Sequence, residues 1–327
     1  AQNGSISKVN PSGVDHSMVD NGFDSAGASF FSPLEMDPNN NQVVLAGGGE
    51  NNGTQTFFRV YRTTNGGLTW ASEGPALPRH VMAMSIAPSN SSIYYVGTNT
   101  NNVRLWRVTG TGSTWTPIEW AGIPNREIRD LEVAPSDANR VVVAFDGFGG
   151  GNVFRTTNAG TTWEDIGRAP HGNPTLPPGI SATPLPDVPV EAIVIDPVYP
   201  NTIWAGTDLG VYRTIDGGVN WHKFGHLLPN AGIRDLALSP TAGGTGRLMA
   251  ATHGRGVWEL FVGNDECADA TTITDGTLAG TTRGATADGA STCVGDNGGP
   301  SVWYEYVATC DGILRADTCG SNFDTLV

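Results

Sequence analysis

One apolar strand that ends in proline recurs along this chain, and each copy opens a similar unit. The five copies read SPLEMDP, MAMSIAP, IRDLEVAP, EAIVIDP and IRDLALSP, at residues 32–38, 82–88, 128–135, 191–197 and 233–240. Two further β-type runs follow each copy, and the first four units then add a turn and a tryptophan. These tryptophans lie 45, 48 and 58 residues apart, at Trp70, Trp115, Trp163 and Trp221. The spacing fits a unit of four short strands.

Four antiparallel strands repeated radially form a propeller, and the composition agrees with an all-β chain. Charged residues make up only 15% of the sequence, whereas Gly (44) and Pro (21) are abundant. That mixture suits short strands joined by tight turns. The sequence has no sustained apolar period of 3.6 residues that would predict a long helix. We therefore expect an all-β fold, with a β-propeller of five recognisable blades.

The sequence leaves the closure of this propeller open. The fifth unit stops after residues 254–260 without a fourth strand, and the segment GSISKV at residues 4–9 precedes the first unit, where a fourth strand would lie. In one interpretation this segment completes the last blade and closes a ring of five. In the other, the five blades are part of a larger propeller with further blades before Ala1.

Three turns between third and fourth strands share one motif. They read TTNGGLTW, TTNAGTTW and TIDGGVNW, at residues 63–70, 156–163 and 214–221, and the second unit keeps only the Gly and Trp of this pattern. The motif resembles the Asp-box, or bacterial neuraminidase repeat, of sialidase-like, sortilin-like and xyloglucanase-like propellers. The resemblance implies that the motif lies on the blade periphery, away from a substrate face.

The chemistry of the motif indicates a structural role. The Asp or Asn side chain can accept backbone N–H groups of its own turn, the glycine adopts a positive φ, and the tryptophan covers the hairpin. We therefore predict structural roles for nine residues of the motif: Asn65, Gly67, Trp70, Asn158, Gly160, Trp163, Asp216, Gly218 and Trp221.

The resemblance to sialidases and xyloglucanases raises the question of catalysis. The Phe/Tyr-Arg-Ile-Pro motif of sialidases is absent, and the strand arginines recur at periodic positions instead. Xyloglucanase-type enzymes build their cleft between two propellers, which needs a longer chain than this one. We therefore assign no catalytic residue, no metal site and no cofactor from the sequence.

Polar residues at the ends of the second strands form the candidate binding site. Asp146 and Asp208 directly follow second strands, and His253 takes the equivalent place in the fifth unit. If these strand ends converge on one face, the three side chains line a shared polar mouth. Two further aspartates occupy the same place in two Ile-Arg-Asp-Leu repeats, and each is expected to pair with the adjacent arginine: Asp130 with Arg129, and Asp235 with Arg234.

A loop rich in Pro and Gly interrupts the third unit at residues 168–189. It cannot be a strand, because proline donates no hydrogen bond to a β-ladder. We expect the loop to project over one face of the propeller, where long loops often serve function.

The character of the chain changes after residue 262, which divides it into a propeller at 1–262 and a second domain at 263–327. The second part holds all four cysteines and resembles the start of a disulfide-bonded β-sandwich module of secreted bacterial proteins, cut before its last strands. Its cysteines lack the paired CxxC spacing of a zinc site. Of three possible disulfide connectivities we favour Cys267–Cys293 and Cys310–Cys319, because the latter two flank a predicted hairpin.

The net charge of the chain limits the kinds of molecule that we expect it to bind. The net charge of −14 repels phosphate backbones, so we do not expect nucleic acid as a partner, and no apolar run is long enough to cross a bilayer. The opening Ala1-Gln2-Asn3 resembles either a mature terminus after signal cleavage or a fragment boundary.

Three functions follow as hypotheses. The first is a secreted, bacterial, non-enzymatic protein that binds protein or glycan partners on a rigid propeller, and that self-associates through its incomplete second module. The alternatives are a glycoside hydrolase of the sialidase or xyloglucanase type and a structural subunit of an extracellular filament or surface assembly.

Overall fold

The computed structural model describes most of the propeller region and short pieces of the remainder. The described residues are 6–9, 16–24, 32–51, 54–99, 104–110, 112, 114–118, 124–168, 183–225, 228–240, 246–262, 271–273, 304–307 and 315–316. The chain divides into two compact units, Ala1–Thr241 with Gly246–Leu260, and Ala242–Thr245 with Phe261–Val327. All regular secondary structure within the described residues is β-strand.

Within its described residues, the first unit contains a short hairpin and five antiparallel sheets. The hairpin consists of β1 (Ser7–Val9) and β2 (His16–Met18). Blade I contains β3 (Leu34–Met36), β4 (Val44–Asn51), β5 (Thr56–Thr63) and β6 (Ala71–Leu77). Blade II contains β7 (Val81–Ile86), β8 (Tyr94–Thr98), β9 (Leu105–Thr109) and β10 (Thr114–Ile118). Blade III contains β11 (Ile128–Val133), β12 (Val141–Phe145), β13 (Val153–Thr156) and β14 (Glu164–Asp165).

The last two sheets differ in strand number. Blade IV contains β15 (Val190–Ile195), β16 (Ile203–Thr207), β17 (Gly210–Thr214) and β18 (His222–Phe224). Blade V has three strands in the described residues, β19 (Ile233–Pro240), β20 (Gly246–Thr252) and β21 (Gly256–Val262).

Burial follows from the packing of neighbouring blades. The second strands β8, β12 and β16 are buried at every residue, because adjacent sheets cover both of their faces. The first strands contact one another in sequence, β11 lying between β7 and β15. A bulge recurs near the start of four first strands, at Met82, Arg129, Glu191 and Arg234. The all-β propeller predicted from the repeat is confirmed.

Three turns with the same hydrogen bonds join the third and fourth strands of blades I, III and IV. In blade I, Asn65 Oδ1 accepts hydrogen bonds from Thr63 Oγ1 (2.9 Å) and Thr69 N (3.0 Å), while Gly67 N donates to Thr63 Oγ1 (3.0 Å). Equivalent bonds recur in the other two turns, around Asn158 and Asp216. The φ angles are 93°, 90° and 103°, a region that favours glycine, at Gly67, Gly160 and Gly218.

The turns of blades III and IV also pack against the outer part of the preceding blade. A Cβ atom at Gly218 would lie 2.5 Å from Ile166, and one at Gly160 would lie 2.7 Å from Ile118. Trp221 is buried at the same junction, and its Nε1 donates to Ile166 O (2.7 Å). The turn therefore closes a hairpin and fastens two blades together.

The residue after β2 takes the place of such an outer strand beside blade I. Val19 O accepts a hydrogen bond from Trp70 Nε1 (2.6 Å), and a Cβ atom at Gly67 would lie 3.2 Å from Val19. Ile166 makes the equivalent contacts at the junction of blades III and IV. The segment after the N-terminal hairpin thus substitutes for the last strand of a blade preceding blade I.

Completion of blade V by residues 4–9 is not the arrangement found. Ser7–Val9 pairs with His16–Met18, and no strand of the described residues pairs with the outer edge of β21. The physical reason is that the N-terminal segment is held at blade I, where Ile6 and Phe23 pack against Tyr61 and Trp70.

The second unit is described only in part. Its strands β22 (Thr271–Ile273) and β23 (Tyr304–Tyr306) form a short parallel pair. The four cysteines Cys267, Cys293, Cys310 and Cys319 lie outside the described residues. The β-sandwich and its disulfides therefore stay predictions.

The three turns predict the effect of removing one carboxylate. Asp216 accepts hydrogen bonds from Thr214 Oγ1 (2.7 Å), Asn220 N (2.9 Å) and Asn220 Nδ2 (2.8 Å). Although burial opposes them, these bonds hold the pKa of Asp216 below its ordinary value. Asp216→Ala should lower the free energy of unfolding by about 1–3 kcal/mol, measured by urea denaturation at pH 7.

Asp216→Asn is the matched control. Because asparagine fills this place in the other two turns, the control should unfold close to the parent chain. An equal loss of stability in both variants would contradict the role assigned to the turn.

Candidate functional site

The ends of the second strands meet the starts of the first strands on one face of the propeller. Asp146 N donates a hydrogen bond to Glu127 O (3.0 Å), and His253 N donates one to Gly232 O (2.8 Å). Asp208 follows β16 at the corresponding place in blade IV. We call this surface, defined by these five residues, the mouth face.

Asp146 begins a row of ion pairs that crosses three blades. Its Oδ2 lies 2.5 Å from Arg129 Nη2, Arg129 Nε lies 3.8 Å from Glu191 Oε2, and Glu191 Oε1 lies 3.2 Å from Arg234 Nη1. Glu127 Oε2 also lies 3.6 Å from Arg129 Nη2. Although burial lowers it, these carboxylates raise the pKa of Arg129 above its ordinary value, so its charge is permanent. Three members of the row are the bulged residues of their strands.

Asp208 and His253 meet at Gly232. A Cβ atom at Gly232 would lie 3.0 Å from Asp208 Oδ1, while Gly232 O accepts the backbone N–H of His253. Gly232 directly precedes β19, which carries Arg234 at the end of the ion-pair row. The structure thus places Asp208 and His253 around one residue near that end, and Asp146 at the opposite end.

The expected pairs Asp130–Arg129 and Asp235–Arg234 are wrong. Instead, Arg129 binds Glu127 and Asp146, and Arg234 binds Glu191. Asp130 Oδ2 accepts the backbone N–H of Ile193 (2.7 Å) in the next blade. The two side chains have partners in different places, since Arg129 Nη2 lies 2.5 Å from Asp146 Oδ2 at the end of β12, whereas Asp130 reaches the backbone of β15.

Acceptors on the first strands cap backbone N–H groups of the next blade. The first strand of each sheet is an edge strand, so half of its N–H groups have no partner within the blade. Polar side chains of the preceding blade accept three of them: Ile86 N donates to Glu35 Oε1 (3.1 Å), Val133 N to Ser85 Oγ (3.1 Å) and Ile193 N to Asp130 Oδ2 (2.7 Å).

Four carboxyl groups on first strands form an axial cluster, Glu35, Asp130, Glu132 and Asp235. Burial raises the pKa of Glu35 and of Asp130 to about 7, against the backbone hydrogen bonds that lower it. Burial also raises the pKa of Glu132 well above its ordinary value and that of Asp235 more modestly. Repulsion from Glu35 and Asp235 adds to the effect on Asp130. The cluster holds protons that ordinary carboxylates would release.

A glycine-rich loop beside Asp146 is the candidate that sequence reasoning missed. The loop DGFGGGN, residues 146–152, joins β12 to β13, and the side chain of Phe148 at its centre is 67% exposed. Arg126 and Asp187 both bind its backbone. The signal in the sequence was a lone aromatic residue among glycines, two residues after a predicted site residue.

Part of the predicted insertion at 168–189 packs against this loop. Residues 169–182 lie outside the described residues, but 183–189 are described and lead into β15. A small cavity of about 30 Å³ separates the two segments, lined by Gly150, Gly151, Leu185 and Asp187 among others. The inserted loop therefore reaches the mouth face at its C-terminal end.

The described ranges contain neither a group of side chains that could bind a metal ion nor a helix that could span a membrane. No three His, Cys, Asp or Glu side chains within them are grouped to bind one. Nor does any helix in this part of the chain have the length and apolar character for crossing a bilayer. A larger cavity of about 220 Å³ lies at the edge of blade I, beside Trp70 and Glu73, away from the mouth face.

Comparison with known proteins relates the chain to xyloglucanases. No known family model matches it. Xyloglucanase Xgh74A of Acetivibrio thermocellus is 27% identical over 186 residues, which cover 49% of this chain and 22% of that protein. The chain thus spans about a fifth of the length of this relative.

Two solved structures of GH74 enzymes are similar to the chain, and the first of them carries the comparison of fold. An ancestral GH74 enzyme superposes with a TM-score of 0.51 and 22% identity, covering 72% of this chain and 30% of its own. A GH74 enzyme of Niastella koreensis gives a TM-score of 0.49 and 17% identity, covering 74% of this chain and 39% of its own. The chain contains a β-propeller of the type found in xyloglucanases.

The axial cluster predicts a pH-dependent stability that Glu35→Gln should reduce. The pKa of Glu35 is about 7 in the folded chain against an ordinary 4.5, so the folded state retains a proton that the unfolded state loses. This contribution is complete below about pH 4 and is lost as the pH rises through 7. Glutamine retains a side-chain oxygen that can accept the hydrogen bond from Ile86 N, but it carries no negative charge. The melting temperature of Glu35→Gln should therefore exceed that of the parent chain by a margin that grows from pH 5 to pH 8.

Glu164→Gln is the control for this series. Glu164 is exposed on β14 and pairs with Arg155 (2.7 Å), so its substitution should give no advantage that grows with pH. A melting-temperature difference for Glu35→Gln that stays constant from pH 5 to pH 8 would show that Glu35 does not titrate as described.

Proposed function

We infer that this chain is the glycan-binding propeller of a secreted bacterial glycoside hydrolase of the xyloglucanase type, with its polysaccharide bound across the mouth face. The observation that carries this inference is the joint similarity of sequence and fold to xyloglucanases. The sequence alone favoured a non-enzymatic binding protein, and the comparisons support the hydrolase alternative better.

The chemistry of the mouth face suits a neutral glycan. Arginines and carboxylates alternate along it, so it offers hydrogen-bond donors and acceptors to sugar hydroxyls without a dominant positive charge. The net charge of −14 disfavours a polyanionic ligand. Asp208 and His253 add an acceptor and a ring nitrogen near Gly232. A neutral polysaccharide is therefore the class of ligand that this surface fits.

The ion pairs also bear on catalysis. Hydrolysis of a glycosidic bond ordinarily needs two carboxyl groups, one on each side of the bond. Asp146 and Glu191 are engaged by arginines, which leaves neither of them ready to act as a general acid. The resemblance to xyloglucanases implies a cleft between two propellers, so we propose that this propeller binds substrate and that hydrolysis requires a second one.

The same ion pairs favour a second candidate, a non-catalytic platform for glycan or protein partners. In that case the Asp-box turns, which we propose on the basis of their hydrogen bonds, serve only to build the blades. The second module, with its proposed disulfides, would then supply self-association or attachment. The two candidates differ in whether a second propeller restores turnover.

Binding to polysaccharides tests the proposal directly. We expect affinity electrophoresis and calorimetry to detect binding of the full chain to xyloglucan or mixed-linkage β-glucan, and none to polygalacturonate. Asp208→Ala and His253→Ala should each weaken binding roughly three- to tenfold, which corresponds to the loss of one hydrogen bond. Release of reducing ends, assayed in parallel, reports hydrolysis.

His222→Ala provides the matched control. His222 is exposed on β18, the outer strand of blade IV, and its removal should leave affinity unchanged. Equal weakening by His222→Ala and His253→Ala would argue against the mouth face, and failure to bind any neutral polysaccharide would overturn the proposal.

A further inference from the structure

Phe148 is an exposed aromatic side chain on a loop that is otherwise firmly held. Its 67% exposure is among the largest for apolar residues in the described part of the chain. Single exposed apolar residues are common and need no explanation by themselves. What distinguishes Phe148 is the number of polar groups that fix the backbone on both sides of it.

Arg126 holds the loop from the side of blade III. Its Nη1 donates to Asn152 Oδ1 (2.6 Å) and Asp146 O (3.3 Å), while its Nη2 donates to Gly150 O (2.8 Å) and Gly151 O (3.3 Å). One guanidinium thus binds both ends of the loop at once. Bonds from a charged donor are stronger than those between neutral groups, so this arrangement restricts the loop.

Asp187, from the inserted loop, holds the segment directly after Phe148. Both of its carboxylate oxygens accept the backbone N–H of Gly149 (2.9 Å each), and Oδ1 also accepts that of Gly150 (3.4 Å). The buried Asn152 joins the same two loops, since its Nδ2 donates to Val188 O (2.5 Å). The insertion therefore has a definite structural role, to fix the loop that carries Phe148.

We propose that Phe148 is a stacking platform for a sugar ring of a neutral β-glucan, held in position by Arg126 and Asp187. This rests on the proposed function and names a contact within it. A glucose ring with equatorial hydroxyls presents a flat apolar face of C–H groups and a polar rim. An aromatic ring can stack against this apolar face. Because the loop that carries the ring is held rigidly, less entropy is lost on binding.

The polar rim of the sugar also finds partners near Phe148. Asp146 lies two residues away and is paired with Arg129, which places charged hydrogen-bonding groups on the same face. Leu209 occupies the corresponding loop of blade IV and is 40% exposed. Exposed apolar side chains in corresponding loops of two neighbouring blades, each close to an aspartate in the sequence, fit an extended glycan better than a compact charged ligand.

Affinity for xyloglucan and mixed-linkage β-glucan tests the platform. Phe148→Ala should weaken binding roughly three- to tenfold, whereas Phe148→Trp should retain it, because the indole also offers a flat ring. Asp187→Ala should weaken binding in the parent chain but cause no further loss in the Phe148→Ala background. That pattern would mark Asp187 as a positioning residue acting through Phe148, which general destabilisation would not produce.

Tyr199→Ala is the matched control. Tyr199 is another exposed aromatic residue (63%), but it lies in the turn between β15 and β16, at the opposite end of blade IV from the mouth face. Its substitution should leave affinity unchanged. If the parent chain binds and Phe148→Ala binds equally well, this inference fails while the proposed function stands. If the parent chain binds no neutral glucan, both fail.

Discussion

The propeller depends on hydrogen bonds that one blade supplies to the next. A first strand has no further strand on its inner side, so its inward N–H groups would be buried without partners. Glu35, Ser85 and Asp130 supply the missing acceptors from the preceding blade. On the outside, Gly160, Gly218 and Trp221 contact the preceding blade at the junctions of blades II and III and of blades III and IV. These two junctions therefore have specific contacts at both their inner and outer edges, as well as the apolar core between the sheets.

The fold was readable from the sequence because it is built from a repeated local pattern. The strand repeat and the turn motif are local patterns, and their period is fixed by the blade they build. The role of Asn65 within its turn follows from its own neighbours in sequence. Closure was less readable, because the pairing of Ser7–Val9 with His16–Met18 has no counterpart in the repeat.

The candidate site was less predictable than the fold for a related reason. Strand position alone put Asp146, Asp208 and His253 on one face, since the ends of equivalent strands coincide in a repeat. The partners of the arginines were not predictable in this way. Arg129 pairs with Asp146 and Glu191, and Asp130 with the backbone of β15, and these partners are distant along the chain. Phe148 was missed because its significance lies in the support from Arg126 and Asp187, which are distant along the chain.

The hydrogen bonds between first strands run in one direction along the chain. In all three cases the acceptor lies in the earlier blade and the donor in the later one. Each of these three N–H groups therefore has its acceptor on a part of the chain that is synthesised before it.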